Sequence, residues 1–217
     1  MDTIEEILRL PSPAPRPQSL AHDGSTLWMG SRETRRIYAI DPARWTARDE
    51  TECPNVPWGL AAVGDDLFVI YGVGDDDDRV VKRYVPGHGF TAKGSFRAPE
   101  GTGSHLSWDG DVLYISQWYN QRILGVDGKG EVLSTIELPH GVCGQTIVQG
   151  RFYCVCTDDE ENGPYWLTRV DARGASPRCE DIAIIPFPAR ALTFDGEHFW
   201  TNHRDADQIV AFARRDG

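Results

Sequence analysis

The sequence lacks several features that would assign it to a common class. No stretch approaches the ~20 consecutive apolar residues that are needed to cross a bilayer. The acidic N-terminus, MDTIEEILRLPSPAP, has neither the basic start nor the apolar core of a secretion signal. No glycine-rich phosphate loop, serine elbow or haem motif is present. We therefore expect a soluble, cytoplasmic protein that does not bind a membrane and uses no redox cofactor.

The chain also lacks an excess of positive charge. Its formal net charge is −11 over 217 residues, whereas binding to a phosphate backbone requires clustered cations that release counterions. Nucleic acid is therefore not expected as a partner. The hydrophobic fraction of 40% and the charged fraction of 25% are those of one globular unit that buries a core. We expect a monomer with a single domain over residues 1–217.

Cysteine is sparse, and the five cysteines make an odd number. A chain of this length does not need disulfides for stability, so free thiols in a reducing compartment are expected. Cys154 and Cys156 lie two residues apart and would share one face of a strand. That spacing allows either a soft-metal site or two small buried apolar side chains. The second interpretation is preferred, because a closed thiolate site takes about four ligands and no CxxC pair is present.

What the chain does contain is a fivefold repeat. Its clearest copy, SHLSWDGDVLYISQ, places an Asp-Gly turn between two runs of alternating apolar residues, which is a strong hairpin signal. The other copies are QSLAHDGSTLWMGS, WGLAAVGDDLFVIY, GQTIVQGRFYCVC and RALTFDGEHFWTNH. Aligning Leu20, Leu60, Leu106, Thr146 and Leu192 gives intervals of 40, 46, 40 and 46 residues. Repeats of this length that consist of short strands predict a β-propeller.

The two ends of the chain are predicted to complete one blade. Each hairpin is followed by a third alternating strand and by a fourth strand that ends near a proline, as suits an outer edge. The last repeat stops after its third strand, Gln208–Phe212, and residues 4–10 resemble a fourth strand with no partner before it. We predict an all-β, five-bladed propeller of four-stranded antiparallel blades, closed by this N-terminal strand. The alternative for the N-terminus is an amphipathic helix from Thr3 to Arg9.

The candidate site is expected at one of the two ends, or poles, of the propeller's central axis, namely the pole opposite the Asp-Gly turns. There the residues that precede each innermost strand, together with the loops between second and third strands, surround the mouth of the central channel. These residues differ from blade to blade, which is typical of a binding site on a repeat scaffold. The alternative is a narrow channel plugged by side chains and water. The candidate binding residues are Gln18, Trp58, Tyr71, Gln117, Trp118, Tyr119 and Gln145.

Three residues are candidates for chemistry. His105 is expected where the ring is narrowest, and imidazole can accept a substrate proton or bind a metal near neutral pH. A hydrogen-bonded filler is the alternative for this histidine. His203, which ends the second strand of the last blade, could approach as a partner or as a metal ligand. Arg190 beside the channel could hold a carboxylate with its planar fork or form an internal salt bridge.

Two acidic loops, Asp75–Asp78 and Asp158–Glu161, are expected at the same pole. Their oxygens would suit a hard cation such as calcium. Neither loop has the alternating ligand spacing or the fixed glycine of a calcium loop, so solvated charge is the preferred interpretation. The expected cofactor is therefore none or a divalent metal.

The repeated phrase in ALTFDGEHFWTN and HLSWDGDVLYIS resembles that of the virginiamycin B lyase, NHL-repeat and gluconolactonase group of propellers. The resemblance covers nearly the whole chain and implies the architecture, although those proteins usually have six or seven blades. It also implies a metal or an acid–base group at the channel mouth, but their His/His/Glu and Glu/Asn/Asp sets do not match this chain residue by residue. Glutaminyl cyclotransferases share the five-bladed form, yet the positions of their QGL and EGLT signatures hold WGL and SHL here. No catalytic assignment is carried over.

Two functions follow from this pattern, and the sequence leaves both open. The first is a small-molecule enzyme of non-redox lyase, cyclase, isomerase or hydrolase type. In it His105 would be the acid–base group, His203 its partner or a metal ligand, and Arg190 the group that polarises a carbonyl or carboxylate. The second is a non-catalytic propeller that binds a protein or a small-molecule ligand.

Overall fold

A computed structural model describes residues 1–174 and 176–214. Ala175 and residues 215–217 lie outside the described residues. Both belong to the single domain of residues 1–217 that is expected from the sequence. In the described part of the chain, twenty strands form five sheets of four antiparallel strands each. No helix of this part has the length and apolar character needed to span a bilayer.

The blades follow one another along the chain. The first contains β2 (Pro17–His22), β3 (Leu27–Ser31), β4 (Arg36–Asp41) and β5 (Thr46–Glu52). The second contains β6 (Pro57–Val63), β7 (Asp66–Val73), β8 (Asp78–Val85) and β9 (Gly89–Arg97). The third contains β10 (His105–Trp108), β11 (Leu113–Gln117), β12 (Arg122–Val126) and β13 (Val132–Glu137). The fourth contains β14 (Val142–Val148), β15 (Arg151–Cys156), β16 (Tyr165–Asp171) and β17 (Arg178–Ile185). The fifth contains β18 (Leu192–Phe194), β19 (His198–His203), β20 (Gln208–Ala213) and, as its outer strand, β1 (Glu6–Pro11). Two 3₁₀ turns, Pro99–Gly101 and Arg204–Ala206, complete the elements.

The Asp-Gly turns show why the repeated phrase has its form. In the first blade one carboxylate oxygen of Asp23 accepts two backbone N–H groups of its own turn, at 2.9 and 2.8 Å. The other oxygen accepts the indole N–H of Trp28, five residues later, at 2.7 Å. The third and fifth blades repeat the arrangement with the pairs Asp109–Tyr114 and Asp195–Trp200. A single aspartate therefore sets the turn and orients an aromatic ring on the next strand.

The apolar core lies between the blades. Five clusters of buried side chains each join two neighbouring sheets, so every blade packs on both faces. The inner strands β2, β6, β10, β14 and β18 contact one another in succession, and β18 also contacts β2. These contacts complete a circle around a central channel. The predicted all-β, five-bladed propeller is confirmed.

The N-terminal segment closes the ring, as predicted. β1 pairs antiparallel with β20, and just before it the backbone N–H of Ile4 donates to the Ile184 carbonyl of the fourth blade at 2.8 Å. The side chain of Ile4 is 6% exposed and belongs to the core between the fourth and fifth blades. The alternative of a helix from Thr3 to Arg9 is wrong, because the backbone of this segment pairs with two different sheets.

Candidate functional site

Each blade presents one side chain to the channel mouth at or just before the start of its inner strand, and in three blades this residue lies at a register irregularity. The pairing of β2 with β3 skips Gln18, that of β6 with β7 skips Trp58, and that of β14 with β15 skips Cys143. Ser104 and Arg190 stand at the corresponding place before β10 and β18. A β-bulge turns its extra residue out of the regular alternation of a strand. We call these five residues the inner ring.

The inner ring lines a cavity of about 220 Å³, which we call the mouth cavity. The remaining lining comes from residues in or beside the loops between second and third strands, and from the segment before β10. These residues are Arg32, Arg79, Thr102, Gly103, Trp118, Tyr119, Glu160 and Arg204. Every blade thus contributes one residue of the inner ring and at least one residue in or beside a loop between its second and third strands.

The charge of this lining is opposite to that of the whole protein. Four of the lining residues are arginines and one, Glu160, is acidic, although the formal net charge of the chain is −11. Guanidinium groups are the side chains best shaped to bind carboxylates and other planar oxyanions. The mouth cavity is therefore a local positive site on an acidic protein.

Two of the arginines are buried in the cavity wall. Arg190 is 4% and Arg204 is 8% exposed. Arg190 donates to the Tyr165 hydroxyl and to the Glu160 carbonyl, the latter at 2.9 Å, and its ion pair with the Glu160 carboxylate is 3.4 Å long. Arg204 donates to the side-chain oxygen of Gln18 at 3.2 Å. The Nε atoms of both arginines are buried and have no hydrogen-bond partner among the described residues.

Burial and repulsion from neighbouring arginines act on the charge of Arg204. Burial, followed by repulsion from Arg190 and Arg32, lowers the pKa of Arg204. Its nearest carboxylate belongs to Asp205, 3.6 Å from Nε. Arg79, Arg190 and Arg204 are each compensated in part by one carboxylate, of Asp77, Glu160 and Asp205 respectively, whereas Arg32 has no ion pair with a described residue. A cluster of four arginines with this partial compensation would be stabilised further by a bound anion.

The other two arginines flank one aromatic ring. The guanidinium carbon of Arg79 lies 4.3 Å and that of Arg32 lies 5.1 Å from the centroid of Trp58, both in cation–π geometry. Arg79 is also held by an ion pair with Asp77. Arg32 is exposed and forms no ion pair with any described residue, so its charge faces the solvent of the cavity entrance.

The third blade supplies an aromatic wall. The rings of Trp118 and Tyr119 meet edge to face with centroids 4.8 Å apart. The indole N–H of Trp118 donates to the Thr157 carbonyl at 3.0 Å, which fixes that ring across the gap to the fourth blade. Tyr119 is 82% exposed and forms the outermost part of the wall.

The structure places five of the predicted site residues in this cavity: Gln18, Trp58, Trp118, Tyr119 and Arg190. Gln117 is buried instead, and its amide bonds the Pro99 carbonyl at 2.9 Å and Arg122 Nε at 2.7 Å. Tyr71 is 1% exposed in the core between the first and second blades. Both residues support the rim from within the sheets.

Gln145 lines a different cavity, at the end of the channel where the Asp-Gly turns lie. The reason is the register of the fourth blade. The bulge falls at Cys143, so Gly144 pairs with Val155 and Gln145 with Cys154. The sequence alignment on Thr146 is shifted by one residue relative to this pairing, and a shift of one residue reverses the direction of a strand side chain. Cys143 occupies the place at the mouth that the sequence analysis assigned to Gln145.

His105 lies behind the cavity wall. It is 1% exposed, its Nδ1 lies 2.9 Å from the Leu106 carbonyl, and Gly59 packs against its backbone so closely that a Cβ there would lie 2.6 Å from the His105 Cα. Burial lowers the pKa of His105 to about 4, and the hydrogen bond to the Leu106 carbonyl opposes this only in part. The imidazole is therefore neutral at physiological pH.

His203 ends β19, the second strand of the fifth blade, and does not line the mouth cavity. Its ring stacks on Phe187, with centroids 4.9 Å apart, and its Nδ1 is 3.4 Å from a guanidinium nitrogen of Arg9 in β1. Burial, followed by repulsion from Arg9, lowers the pKa of His203. The structure therefore does not bring His203 together with His105 or with the mouth cavity.

Eight lining residues were not among the candidate site residues. Those with a charged or thiol side chain are Arg32, Arg79, Cys143, Glu160 and Arg204. Arg32 and Arg204 lie within the loops between second and third strands, and Arg79 lies beside such a loop. A signal was present, because four of the five blades carry an arginine in or beside this loop in an otherwise acidic chain, although Arg122 of the third blade does not line the cavity. Glu160 belongs to an acidic loop that the sequence analysis interpreted as solvated, and it lies 40% exposed against Arg190.

The cysteines form no metal site in the described part of the chain. All five are free, and Cys53, Cys143, Cys154 and Cys156 are buried. Burial raises the pKa of the Cys143 thiol to about 12 although it faces Arg190. Among the described residues, no group of three or more His, Cys, Asp or Glu side chains is arranged to hold a metal ion.

Comparison with solved structures identifies similar propellers. A calcium-binding protein, regucalcin, from Agrobacterium tumefaciens is similar over 98% of this chain and 95% of its own, with a TM-score of 0.62 and 10% identity. A protein of unknown function from Bacteroides caccae is similar over 86% of this chain and 70% of its own, with a TM-score of 0.59 and 8% identity. Hydrazine synthase from Kuenenia stuttgartiensis has a TM-score of 0.55 and 16% identity over 89% of this chain.

These similarities establish the fold alone, because all three identities are low. The chain spans little more than half, 57%, of the hydrazine synthase chain. No family model matches the sequence, and no curated protein matches it. The fold is shared with propellers that include an enzyme and a calcium-binding protein, and the function must be inferred from the site.

Proposed function

We propose that the mouth cavity binds a small organic anion, and that a carboxylate or similar oxyanion of this ligand contacts the guanidinium groups of Arg190 and Arg204. The observation that carries the proposal is the arginine-rich lining of a cavity in a protein of net charge −11. An oxyanion beside the two guanidinium groups would offset the repulsion that acts on the buried charge of Arg204. Trp58, Trp118 and Tyr119 supply apolar surface for the rest of the ligand.

Of the two functions that the sequence leaves open, the geometry favours ligand binding. A general acid–base group needs a pKa near the working pH and access to the substrate. His105 has a pKa of about 4 and is 1% exposed, while His203 stacks on Phe187 away from the cavity. If the bound anion also reacts, the contribution expected from this site is stabilisation of negative charge by Arg190 and Arg204.

The proposal is tested by calorimetric titration with acetate, butyrate, benzoate and inorganic phosphate, for the wild-type protein and for Arg204→Gln. A hydrogen bond to a charged group contributes about 1.5–3 kcal/mol, so Arg204→Gln should weaken binding by roughly tenfold to hundredfold. The matched control is Arg97→Gln, which removes the same charge from an ion pair with Asp78 on the surface. It should leave the affinity unchanged.

The salt dependence gives a second readout. Binding between charges weakens as ionic strength rises, although partly buried pairs are screened less than exposed ones. We expect the affinity to fall between low and high salt in the wild type and to fall less in Arg204→Gln. If no anion in the series releases heat or stabilises the protein, or if Arg204→Gln binds as tightly as Arg97→Gln, the proposal is wrong.

A further inference from the structure

The positive charge of the mouth cavity is divided between two places. One, the inner pair, consists of Arg190 and Arg204, which lie before and after the hairpin β18–β19 of the fifth blade. The other, the outer pair, consists of Arg32 of the first blade and Arg79 of the second, which are both held over Trp58. The two pairs thus belong to different blades, and Arg32 lies close enough to Arg204 for its charge to lower the pKa of Arg204.

Each place has donors that the protein does not use. The Nε atoms of Arg190 and Arg204 are buried without hydrogen-bond partners among the described residues. At the outer pair, the indole N–H of Trp58 is likewise buried without a partner, and Arg32 has no ion pair with a described residue. A buried donor without a partner costs free energy.

A single carboxylate cannot satisfy both places. Its two oxygens match the fork of one guanidinium, or two adjacent donors, and the second pair of arginines would remain unmatched. The aromatic surfaces of Trp58 and Trp118 line the same cavity as the two pairs. A ligand that reached both pairs would therefore have an acidic group at each end and an apolar or planar body against the aromatic wall.

We propose that the ligand of the mouth cavity is a short dianion, of which a dicarboxylate is the simplest example, with one acidic group on Arg190 and Arg204 and the other on Arg32 and Arg79. This inference rests on the proposed function and specifies its ligand class. The cavity volume of about 220 Å³ limits the ligand to a small molecule. Glu160 is the one carboxylate of the lining, and its ion pair with Arg190 shows that an acidic group reaches the inner pair.

The test compares ligands of the same length with one or two acidic groups. Glutarate and adipate are titrated against pentanoate and hexanoate by calorimetry, and terephthalate against benzoate as the planar pair. In the wild-type protein we expect at least one dicarboxylate to bind about tenfold more tightly than its matched monocarboxylate, which corresponds to one further hydrogen bond to a charged group.

The variant that isolates the outer pair is Arg32→Gln. Arg32 is exposed and takes part in no core, so its replacement should leave the fold intact. We expect the dicarboxylate affinity to fall about tenfold, to that of the monocarboxylate, while the monocarboxylate affinity changes by less than about twofold. Arg35→Gln is the matched control, because Arg35 is an exposed arginine of the same turn that does not line the cavity.

The outcomes separate this inference from the proposed function. If mono- and dicarboxylates bind the wild type equally, or if Arg32→Gln weakens both to the same degree, the two-place ligand is wrong while the anion site stands. If neither kind of ligand binds, the anion site itself is refuted. A large effect of Arg35→Gln would also overturn the inference, because the effect would then come from general charge and not from the outer pair.

Discussion

Replacing Ile4 tests how the ring is closed. Ile4 precedes β1, is 6% exposed and packs in the core shared by the fourth and fifth blades. Its replacement by alanine removes the buried γ and δ carbons at a seam between two sheets. If the N-terminal segment fastens the ring, this change should destabilise the whole propeller and not merely loosen one terminus.

The expected magnitude follows from burial. Full burial of an isoleucine side chain contributes about 1.5–3 kcal/mol, and the cavity left behind adds to the loss, so Ile4→Ala should cost about 2–5 kcal/mol. For a domain of this size, each kcal/mol lowers the melting temperature by about 2–4 °C. Ile4→Val should cost only about 0.5–1.5 kcal/mol, and it provides a graded result if the alanine variant does not fold.

Urea unfolding followed by tryptophan fluorescence measures the effect. The matched control is Ile7→Ala, in β1 itself, because Ile7 is 52% exposed and its truncation should change stability by about 0.5 kcal/mol or less. A lower midpoint with an unchanged slope would report lost stability of the whole ring. If Ile4→Ala unfolds at the same urea concentration as Ile7→Ala, the closure inferred for the N-terminus is refuted.

Three further predictions concern the turns, the inner strands and the site. Burial acts to raise the pKa of Asp195, but hydrogen bonds from its turn and from Trp200 outweigh this and lower the pKa. The stability lost in Asp195→Asn should therefore be greatest at neutral pH and should shrink as the pH falls to about 4 and below, in melts compared with wild type. Gly144→Ala should lower the free energy of unfolding in urea by about 1–3 kcal/mol, because a Cβ there would lie 2.6 Å from the Ala191 Cα. Gly128→Ala is the control and should not lower it, because the space around Gly128 is open. Glu160→Gln should raise the affinity for carboxylates about threefold to tenfold in calorimetry, because it removes the carboxylate that competes for Arg190; an unchanged affinity would show that Glu160 does not compete.

The candidate site was predicted only in part from the sequence. The pole was identified from the uneven residues around it, and Gln18, Trp58 and Arg190 were assigned to the mouth. Gln145 was not placed correctly relative to its strand, because hydrophobic alternation in VCGQTIVQ allows two registers and the bulge at Cys143 selects between them. Bulges depend on the partner strand and leave little trace in composition.

The depth of a side chain was the second property that the sequence did not reveal. His105 and Gln117 both belong to segments at the mouth. The neutral imidazole of His105 nevertheless lies behind the cavity wall, and the amide of Gln117 donates a hydrogen bond to a backbone carbonyl. Whether a polar residue faces a cavity or fills the sheet beneath it depends on the neighbouring blade. Gly59 of β6, for example, has no side chain, so the backbone of β10 at His105 can pack directly against it.

The sequence by itself determined the number of blades, the strand order within each blade and the closing role of the N-terminus. These properties are periodic and local, since alternating apolar residues and Asp-Gly turns define strands and hairpins wherever they occur. Only the tertiary structure decided that arginines from the first, second and fifth blades meet in one cavity, because residues as distant as Arg32 and Arg204 become neighbours only when the ring closes. Positive charge that is dispersed along an acidic chain is thereby concentrated at one pole, and the proposed anion site depends on this concentration.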